Sequence, residues 1–353
     1  MADQSKRKGK KTVSRRVFQE EETMTNPSNR LLTDLFETFM KAKGLEGLRE
    51  RTLEEHRTTF KYFLTFLERK HPHLKYIDDI NTEVVRDYVY YMTKEKQLWD
   101  DHTEASMRFK TEKKGLSPFT VNIRLRTLKC FFKFLYDEGH ISENPTKRVK
   151  LLKTEQDTIE AFSEKQIIDL LNQPDQRSYA GFRDYTLMLL FLDSGIRCNE
   201  ALGLKIKDFN YDQGIIKVPA SLAKNTHARI LPISKKTAKS LKTLIKENSV
   251  FESQDYIFLS NYGQKIDPSW IRSRIKEYGK KADIKDIRVS PHTFRHTFSK
   301  MYILNGGDAF TLQRLLDHST MNMVRKYIQM NSEDIKKQHH QFSPINNLFN
   351  KKK

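Results

Sequence analysis

The sequence is poor in cysteine: Cys130 and Cys198 are the only two in 353 residues. They lie far apart in helical-looking surroundings and form no C-x-x-C pair, so the sequence predicts neither a zinc site nor a disulfide framework. We expect both to be free thiols in a reducing compartment. The scarcity of cysteine therefore favours a protein of the cytoplasm.

Long apolar segments are also missing from the sequence. The N-terminus is charged and lacks the apolar core of a signal peptide, and no stretch approaches the roughly 20 apolar residues of a membrane-spanning helix. We therefore expect a cytoplasmic protein with no membrane-spanning helix.

Acidic residues are outnumbered, with 45 Asp and Glu against 64 Lys and Arg, for a formal charge of +19. Such an excess makes a polyanion the expected partner, because Lys and Arg neutralise phosphates and release counterions. An aromatic content of 11% indicates a folded basic protein rather than a basic tail. Nucleic acid is the favoured partner and an anionic membrane surface the weaker candidate, so we expect a nucleoid-associated protein with no membrane partner.

Changes in composition divide the chain into five segments. We expect a basic arm at residues 1–28, a helical first domain at 29–147, a polar linker at 148–158, a second domain at 159–335 and a tail at 336–353. The polar, unpatterned stretch 97–115 is interpreted as a loop between helices of the first domain. The arm is typical of a solvated, disordered segment and could also add phosphate contacts.

Apolar residues recur at helical spacing throughout the first domain. Its most regular helix begins at Ser117-Pro118, a side-chain cap followed by the helical position that proline tolerates best. The face opposite its apolar stripe is predicted to carry four basic residues: Arg124, Arg126, Lys129 and Lys133. That face is either solvated or in contact with DNA.

The second domain combines helices with two strand-like segments, 214–219 and 228–232, that are typical of a hairpin. The rest of the domain, including the strongly apolar stretch 185–192, indicates helices. The sequence thus predicts a mainly α fold with a small antiparallel β-sheet in the second domain.

One stretch of this domain, SPHTFRHTF at 290–298, concentrates two histidines and an arginine. Ser290-Pro291 predicts a helix start, which places His292 and Arg295 on one face near a helix N-terminus, where an anion is favoured. Taken alone, the stretch favours the other interpretation, a capped surface helix with a solvated basic turn.

Four other places hold candidate chemical groups. Arg197 follows a glycine at a helix start, Lys224 lies in the hairpin turn, His318 lies at a helix end, and Tyr327 comes nine residues later. Each has an ordinary structural interpretation when taken alone.

Taken in order, the series Arg197, Lys224, His292-x-x-Arg295, His318 and Tyr327 resembles the tyrosine recombinase (phage integrase) family. The surroundings agree: Gly195, Glu200 and Leu204 fit the arginine box, and Arg229 and Pro232 follow the hairpin lysine at the family's spacing. The resemblance covers about 160–335 and implies that the second domain, 159–335, is catalytic. The helical region 29–147 resembles the family's core-binding (SAM-like) DNA-binding domain. One departure is Asp317, where the family most often has glycine; Asp is among the residues that best tolerate a left-handed backbone.

The resemblance implies roles for all six groups. Two permanently charged guanidiniums, those of Arg197 and Arg295, would clamp the phosphate without a metal ion or other cofactor, in keeping with the lack of clustered carboxylates. Tyr327 would be the nucleophile that forms a 3′-phosphotyrosyl link. His292 would be its base, Lys224 the general acid, and His318 a phosphate ligand. Glu200 would orient a neighbouring group, while His296 and His227 would be exposed or locally bonded.

The implied function is site-specific recombination of double-stranded DNA through a Holliday junction, with two domains clamping the duplex and a tetramer assembling on it. The basic arm and the loop at 97–115 favour a mobile-element integrase or transposase. Accessory DNA-bending or directionality proteins could take part, and the tail could dock on a neighbouring protomer or on its own domain. Two alternatives stay open: DNA relaxation of the type IB topoisomerase kind, and a catalytically idle DNA-binding regulator.

Overall fold

The computed structural model describes residues 30–97, 114–154, 160–223, 225, 227–251, 255–325 and 332–345. Lys224, Tyr327, the basic arm, most of the loop at 97–115 and the end of the tail lie outside the described residues. The chain forms two compact units, which meet in sequence at Gln156 and Asp157. Within the described part of the chain, no helix has the length and apolar character needed to cross a membrane.

The first unit is helical. Its helices are α1 (Leu32–Leu45), α2 (Glu50–Lys70), α3 (Thr82–Tyr90) and α4 (Pro118–Asp137), and a π-helical turn, Tyr91–Glu95, continues α3. Aromatic rings fill the core: Phe36 stacks on Phe60 with centroids 3.7 Å apart, and Phe131 contacts both rings edge-on. The predicted start of α4 is confirmed, since the Ser117 hydroxyl accepts from the Thr120 N–H.

The basic residues of α4 do not share one exposed face, so that prediction is wrong. Arg124 is buried, with its guanidinium carbon 3.7 Å from the centre of the Tyr62 ring. Lys129 donates from Nζ to the Thr146 carbonyl oxygen at 2.6 Å, and its burial lowers its pKa. Arg126 and Lys133 are exposed. The helix is surrounded by other elements over more of its circumference than its apolar stripe indicates.

The second unit surrounds a small sheet with helices. The helices are α5 (Glu164–Leu171), α6 (Tyr179–Ser194), α7 (Cys198–Gly203), α8 (Lys235–Glu247), α9 (Pro268–Lys281), α10 (Pro291–Leu304), α11 (Ala309–Leu316), α12 (Met321–Arg325) and α13 (Ser332–Phe342). The strands are β1 (Phe209–Asn210), β2 (Ile215–Val218) and β3 (Arg229–Pro232), antiparallel in that order, with Ile216 opposite Leu231. The predicted fold class, mainly α with a small antiparallel sheet, is confirmed.

Two local features differ from the prediction. The strand β1 was not predicted, because two residues are too short to show an alternating pattern. Helix α6 begins at Tyr179, well before the apolar stretch, because the Ser178 hydroxyl caps it by accepting from the Gly181 N–H at 3.1 Å. The longer helix α6 packs against α10, and this contact brings two of the candidate site's segments together.

Candidate active site

Arg197 is positioned by the turn between α6 and α7. Helix α6 ends at Gly195, whose φ of +62° lies in the left-handed region that glycine adopts most easily. A Cβ atom at Gly195 would lie 2.4 Å from the Phe298 ring, so this turn also packs tightly against α10. Arg197 then caps α7, and its backbone N–H donates to the Glu200 carboxylate at 3.2 Å.

Glu200 holds two arginines from different elements. Its carboxylate, only 1% exposed, accepts from Arg197 Nη1 at 2.9 Å and from Arg229 Nη2 at 2.5 Å. Burial by itself raises the pKa of Glu200, but the hydrogen bonds and charges of Arg229 and Arg197 outweigh burial and bring the pKa below its usual value. Glu200 is therefore an anion that fixes the Arg197 guanidinium, as the sequence predicted for an orienting residue.

The C-terminal end of α11 collects three arginines. A helix leaves its last carbonyl groups without partners inside the helix, and this end carries a partial negative charge that attracts cations. Three successive carbonyl oxygens accept from guanidiniums: that of Leu315 from Arg229 Nε at 3.0 Å, that of Leu316 from Arg295 Nη2 at 2.5 Å, and that of Asp317 from Arg197 Nη2 at 3.2 Å. One helix end thus gathers arginines from the α6–α7 turn, from β3 and from α10.

Asp317 closes α11 in the left-handed conformation, with φ of +53°. This is the conformation for which the family's usual glycine is suited, and Asp tolerates it. The Asp317 carbonyl oxygen also accepts from Asn225 Nδ2 at 2.8 Å, so the turn between β2 and β3 is attached to this helix end. The Asp317 carboxylate lies 3.5 Å from Arg197 Nη1.

Arg295 and His318 are buried together beneath this helix end. Arg295 is 3% exposed and donates from Nη1 to the Gly195 carbonyl oxygen at 2.6 Å. Its Nη2 lies 3.0 Å from His318 Nε2. Because a guanidinium can only donate, Nε2 must be the acceptor, which requires a neutral imidazole with its proton on Nδ1. Burial and the Arg295 charge lower the pKa of His318 to about 3, in agreement with a neutral ring.

His292 lies on the first turn of α10, which Ser290 caps as predicted by accepting from the Thr293 N–H. Its side chain is exposed in part, and partial burial together with the charges of Arg295 and Arg288 lowers its pKa. The ring packs edge-on against His296, with centroids 4.1 Å apart. A neutral imidazole at this position is able to accept a proton.

The two histidines outside the motif differ from each other. His227 is exposed, whereas His296 is 8% exposed, and burial together with the nearby His292 lowers its pKa to about 3. His296 therefore supports the His292 ring from within the core. Its place on the inner side of α10 follows from packing around that helix, which the motif spacing does not reveal.

Of the six candidate residues, the structure connects Arg197, Arg295 and His318 through hydrogen bonds around the end of α11, and His292 lies one turn before Arg295. Lys224 and Tyr327 lie outside the described residues. Motif matching assigned no role to Arg229, yet this residue binds both Glu200 and the α11 carboxyl end. Its regular spacing from Lys224 was the available signal.

Known protein families match both units of the chain. Residues 160–334 match the phage integrase family, and residues 31–151 match the phage integrase SAM-like domain. Tyrosine recombinase XerC of Thermodesulfovibrio yellowstonii is 30% identical over 221 residues, which cover 61% of this chain and 72% of that protein. Tyrosine recombinase XerD of Staphylococcus haemolyticus is 26% identical over 318 residues, 88% of this chain and 98% of its own length.

Solved structures show the same fold. The Tn1549 transposon integrase bound to transposon right-end DNA superposes with a TM-score of 0.68 at 17% identity, covering 89% of this chain and 99% of that one. A lambda integrase dimer bound to a core site superposes with a TM-score of 0.62 at 16% identity, covering 83% of this chain and 97% of that one. The chain belongs to the phage integrase family of tyrosine site-specific recombinases.

Proposed function

We propose that this recombinase cuts and rejoins double-stranded DNA through a covalent 3′-phosphotyrosyl intermediate, with Tyr327 as the nucleophile. The observation that carries the proposal is the joining of Arg197, Arg295 and His318 around the carboxyl end of α11. These groups come from three separate segments, and each has an ordered set of hydrogen bonds. Such preorganisation is what stabilises charge that develops in a transition state.

The proposed mechanism assigns the phosphate to the two guanidiniums. Attack on a phosphodiester adds charge to its non-bridging oxygens, and forked guanidinium groups match those oxygens. Glu200 keeps Arg197 oriented through its carboxylate, so little reorganisation is needed when the phosphate arrives. Neutral His318 would donate a hydrogen bond to the phosphate through its protonated Nδ1, because its Nε2 is occupied by Arg295.

Proton transfer is assigned to His292 and Lys224. The Tyr327 phenol, with an unperturbed pKa of about 10, loses its proton as its oxygen bonds to phosphorus. His292 would accept that proton, since its lowered pKa keeps the imidazole neutral at pH 7. The P–O bond to the 5′ oxygen breaks, and Lys224 would donate the proton that this oxygen gains. Attack by a 5′ hydroxyl of another strand reverses these steps and completes the exchange.

We further propose that a tetramer performs two rounds of exchange through a Holliday junction, and that the biological role is integration or excision of a mobile element. The basic arm, with Lys6, Arg7 and Lys8 among its cations, and the long polar stretch 97–115 support the mobile-element role. Accessory proteins that bend DNA or set direction would act on the same assembly.

A suicide substrate tests the proposal. Duplexes that bind the protein are first selected from a random-sequence library. A nick is then placed near each candidate cleavage point, so that the short fragment carrying the free 5′ hydroxyl diffuses away and the adduct is trapped. Wild type is expected to form a denaturant-stable protein–DNA complex, and Tyr327→Phe is expected to form none. Tyr262→Phe is the matched control, because Tyr262 is 88% exposed and should leave the adduct intact.

A second assay separates recombination from relaxation. Two different duplexes carrying the selected site are incubated with the protein, and joined products are measured alongside relaxation of a supercoiled plasmid. Joined duplexes are expected; relaxation without joining would indicate the topoisomerase alternative, and binding without any adduct would indicate the idle regulator.

A further inference from the structure

Asp317 places a second carboxylate beside the proposed phosphate clamp. Its side chain is 13% exposed, and Oδ2 lies 3.5 Å from Arg197 Nη1. The same Nη1 donates to Glu200 Oε1 at the shorter distance of 2.9 Å. Asp317 Oδ2 is buried and hydrogen-bonds to no other group among the described residues. The carboxylate therefore acts on Arg197 mainly by charge.

The backbone does not account for this carboxylate. A left-handed residue is needed at position 317, but Gly adopts that conformation more easily than Asp, and Asn tolerates it as well as Asp does. Asp283 is also left-handed, with φ of +51°, but its carboxylate is exposed and pairs with Lys285, whereas that of Asp317 is enclosed beside Arg197. The negative charge at 317 therefore needs a separate explanation, and its nearest described cation is the guanidinium proposed to bind the phosphate.

The local charges show what such a group would do. Three guanidiniums meet here, from Arg197, Arg229 and Arg295, while His318 is neutral. Glu200 balances one of these charges and is already shared by two arginines. Asp317 balances a second one, so the net positive charge available to an incoming phosphate falls from about two to about one.

We propose that Asp317 is a positioning residue that restrains the Arg197 guanidinium and competes with the scissile phosphate for it. The proposal rests on the assignment of Arg197 to the phosphate clamp. It follows that the carboxylate slows phosphodiester cleavage, because Arg197 must weaken its interaction with Asp317 in order to bind the phosphate. Removing the charge while keeping the left-handed backbone should therefore speed cleavage.

The test compares Asp317→Asn with Asp283→Asn. Both substitutions remove one negative charge from a left-handed residue, but Asp283 is exposed and pairs with Lys285 at the surface. Single-turnover adduct formation is measured at saturating protein, and the DNA dissociation constant is measured separately. Asp317→Asn is expected to raise the rate constant about threefold to tenfold, and Asp283→Asn to change it less than about twofold.

Two further variants separate charge from backbone effects. Asp317→Gly should accelerate cleavage at least as much as Asp317→Asn, and the gain from Asp317→Asn should shrink below about twofold in an Arg197→Gln background, where the restrained charge is gone. A rate for Asp317→Asn at or below that of wild type, with an unchanged melting temperature, would overturn the proposal. So would acceleration by the glycine variant alone, which would indicate relief of backbone strain.

Binding of inorganic phosphate supplies a readout that does not need catalysis. At constant ionic strength, Asp317→Asn should bind orthophosphate several-fold more tightly than wild type, as measured by the shift in melting temperature, and Asp283→Asn should not. If wild type formed no adduct, the assignment of Tyr327 would fail, and phosphate binding would still decide the role of Asp317. Equal phosphate affinity in wild type and Asp317→Asn would overturn that role.

Discussion

Arg295 Nη2 and His318 Nε2 lie 3.0 Å apart, and this contact joins the second turn of α10 to the second residue after the end of α11. Both side chains are buried. The contact fixes the protonation state of the histidine, because the guanidinium supplies the proton of the hydrogen bond. The geometry of the site and its pH dependence are therefore linked.

The first prediction concerns stability in mild acid. The pKa of His318 is about 3 in the folded protein and about 6.5 in an unfolded chain, so the unfolded state binds more protons between these values. Stability must therefore fall as the pH drops below about 6.5. In urea denaturation between about pH 6 and pH 4, His318→Gln should show a slope shallower by about 1.4 kcal/mol per pH unit than wild type. Parallel slopes would show that His318 is protonated in the folded state.

The second prediction concerns Glu200, whose carboxylate pairs with both Arg197 and Arg229. Glu200→Gln leaves Arg197 and Arg229 with an uncompensated buried charge, so the free energy of unfolding at pH 7 should fall by about 3 kcal/mol. Glu277→Gln, a control at an exposed ion pair with Arg274, should change it by less than about 0.5 kcal/mol.

The pH dependence of the stability that Glu200 contributes follows from its lowered pKa. The carboxylate stabilises the fold above its unfolded pKa of about 4.5, and that stability is lost as the pH falls through the lower folded value. The difference between wild type and Glu200→Gln should thus be constant above about pH 4.5 and shrink below it. A difference that grew in acid would contradict the account.

The third prediction concerns the turn at Gly195. Alanine there must take φ of +62° and also place its Cβ against Phe298 and Leu316, so strain and overpacking add. We expect Gly195→Ala to lose about 2–4 kcal/mol of stability in chemical denaturation. Gly214→Ala is the control: its φ of +61° is nearly the same, but its Cβ would meet only the Ile233 carbonyl oxygen, at 3.3 Å. It should lose about 1 kcal/mol, and equal losses would show that backbone strain alone matters.

The fourth prediction separates the basic residues of α4, whose role in DNA binding remains a prediction. Arg126 is exposed, so Arg126→Ala should weaken DNA binding and reduce the salt slope by about 0.9 if it contacts one phosphate. Arg124→Ala should instead lower the free energy of unfolding by about 1–2 kcal/mol, through loss of the contact with Tyr62. Filter binding at several salt concentrations and thermal denaturation measure the two effects. An unchanged salt slope for Arg126→Ala would remove it from the interface.

Local sequence signals predicted several structural features of the candidate site, while the catalytic roles of its residues stay predictions. Ser290-Pro291 and Ser117-Pro118 indicated helix starts because a capping hydroxyl and a first-turn proline act within a few residues. Asp317 was recognised as a replacement for a left-handed glycine for the same reason, since φ is a property of a single residue. The order and spacing of the motifs then predicted which groups belong together.

Features that depend on tertiary packing could not be predicted in this way. The convergence of Arg197, Arg229 and Arg295 on successive carbonyl groups of α11 depends on how four segments pack. The burial of Arg124 depends on α2, which supplies Tyr62, and the amphipathic pattern of α4 alone placed that arginine on an outer face. The charge of Asp317 beside Arg197 also joins residues that are 120 positions apart in sequence.

Identification of the residue that carries the DNA is the most direct test of the account. The trapped complex is digested with trypsin and a nuclease, and the modified peptide is sequenced by mass spectrometry. The account predicts a single nucleotide-bearing residue, Tyr327, attached through a 3′ phosphate and absent from Tyr327→Phe. An adduct on another residue, or one attached through a 5′ phosphate, would contradict it.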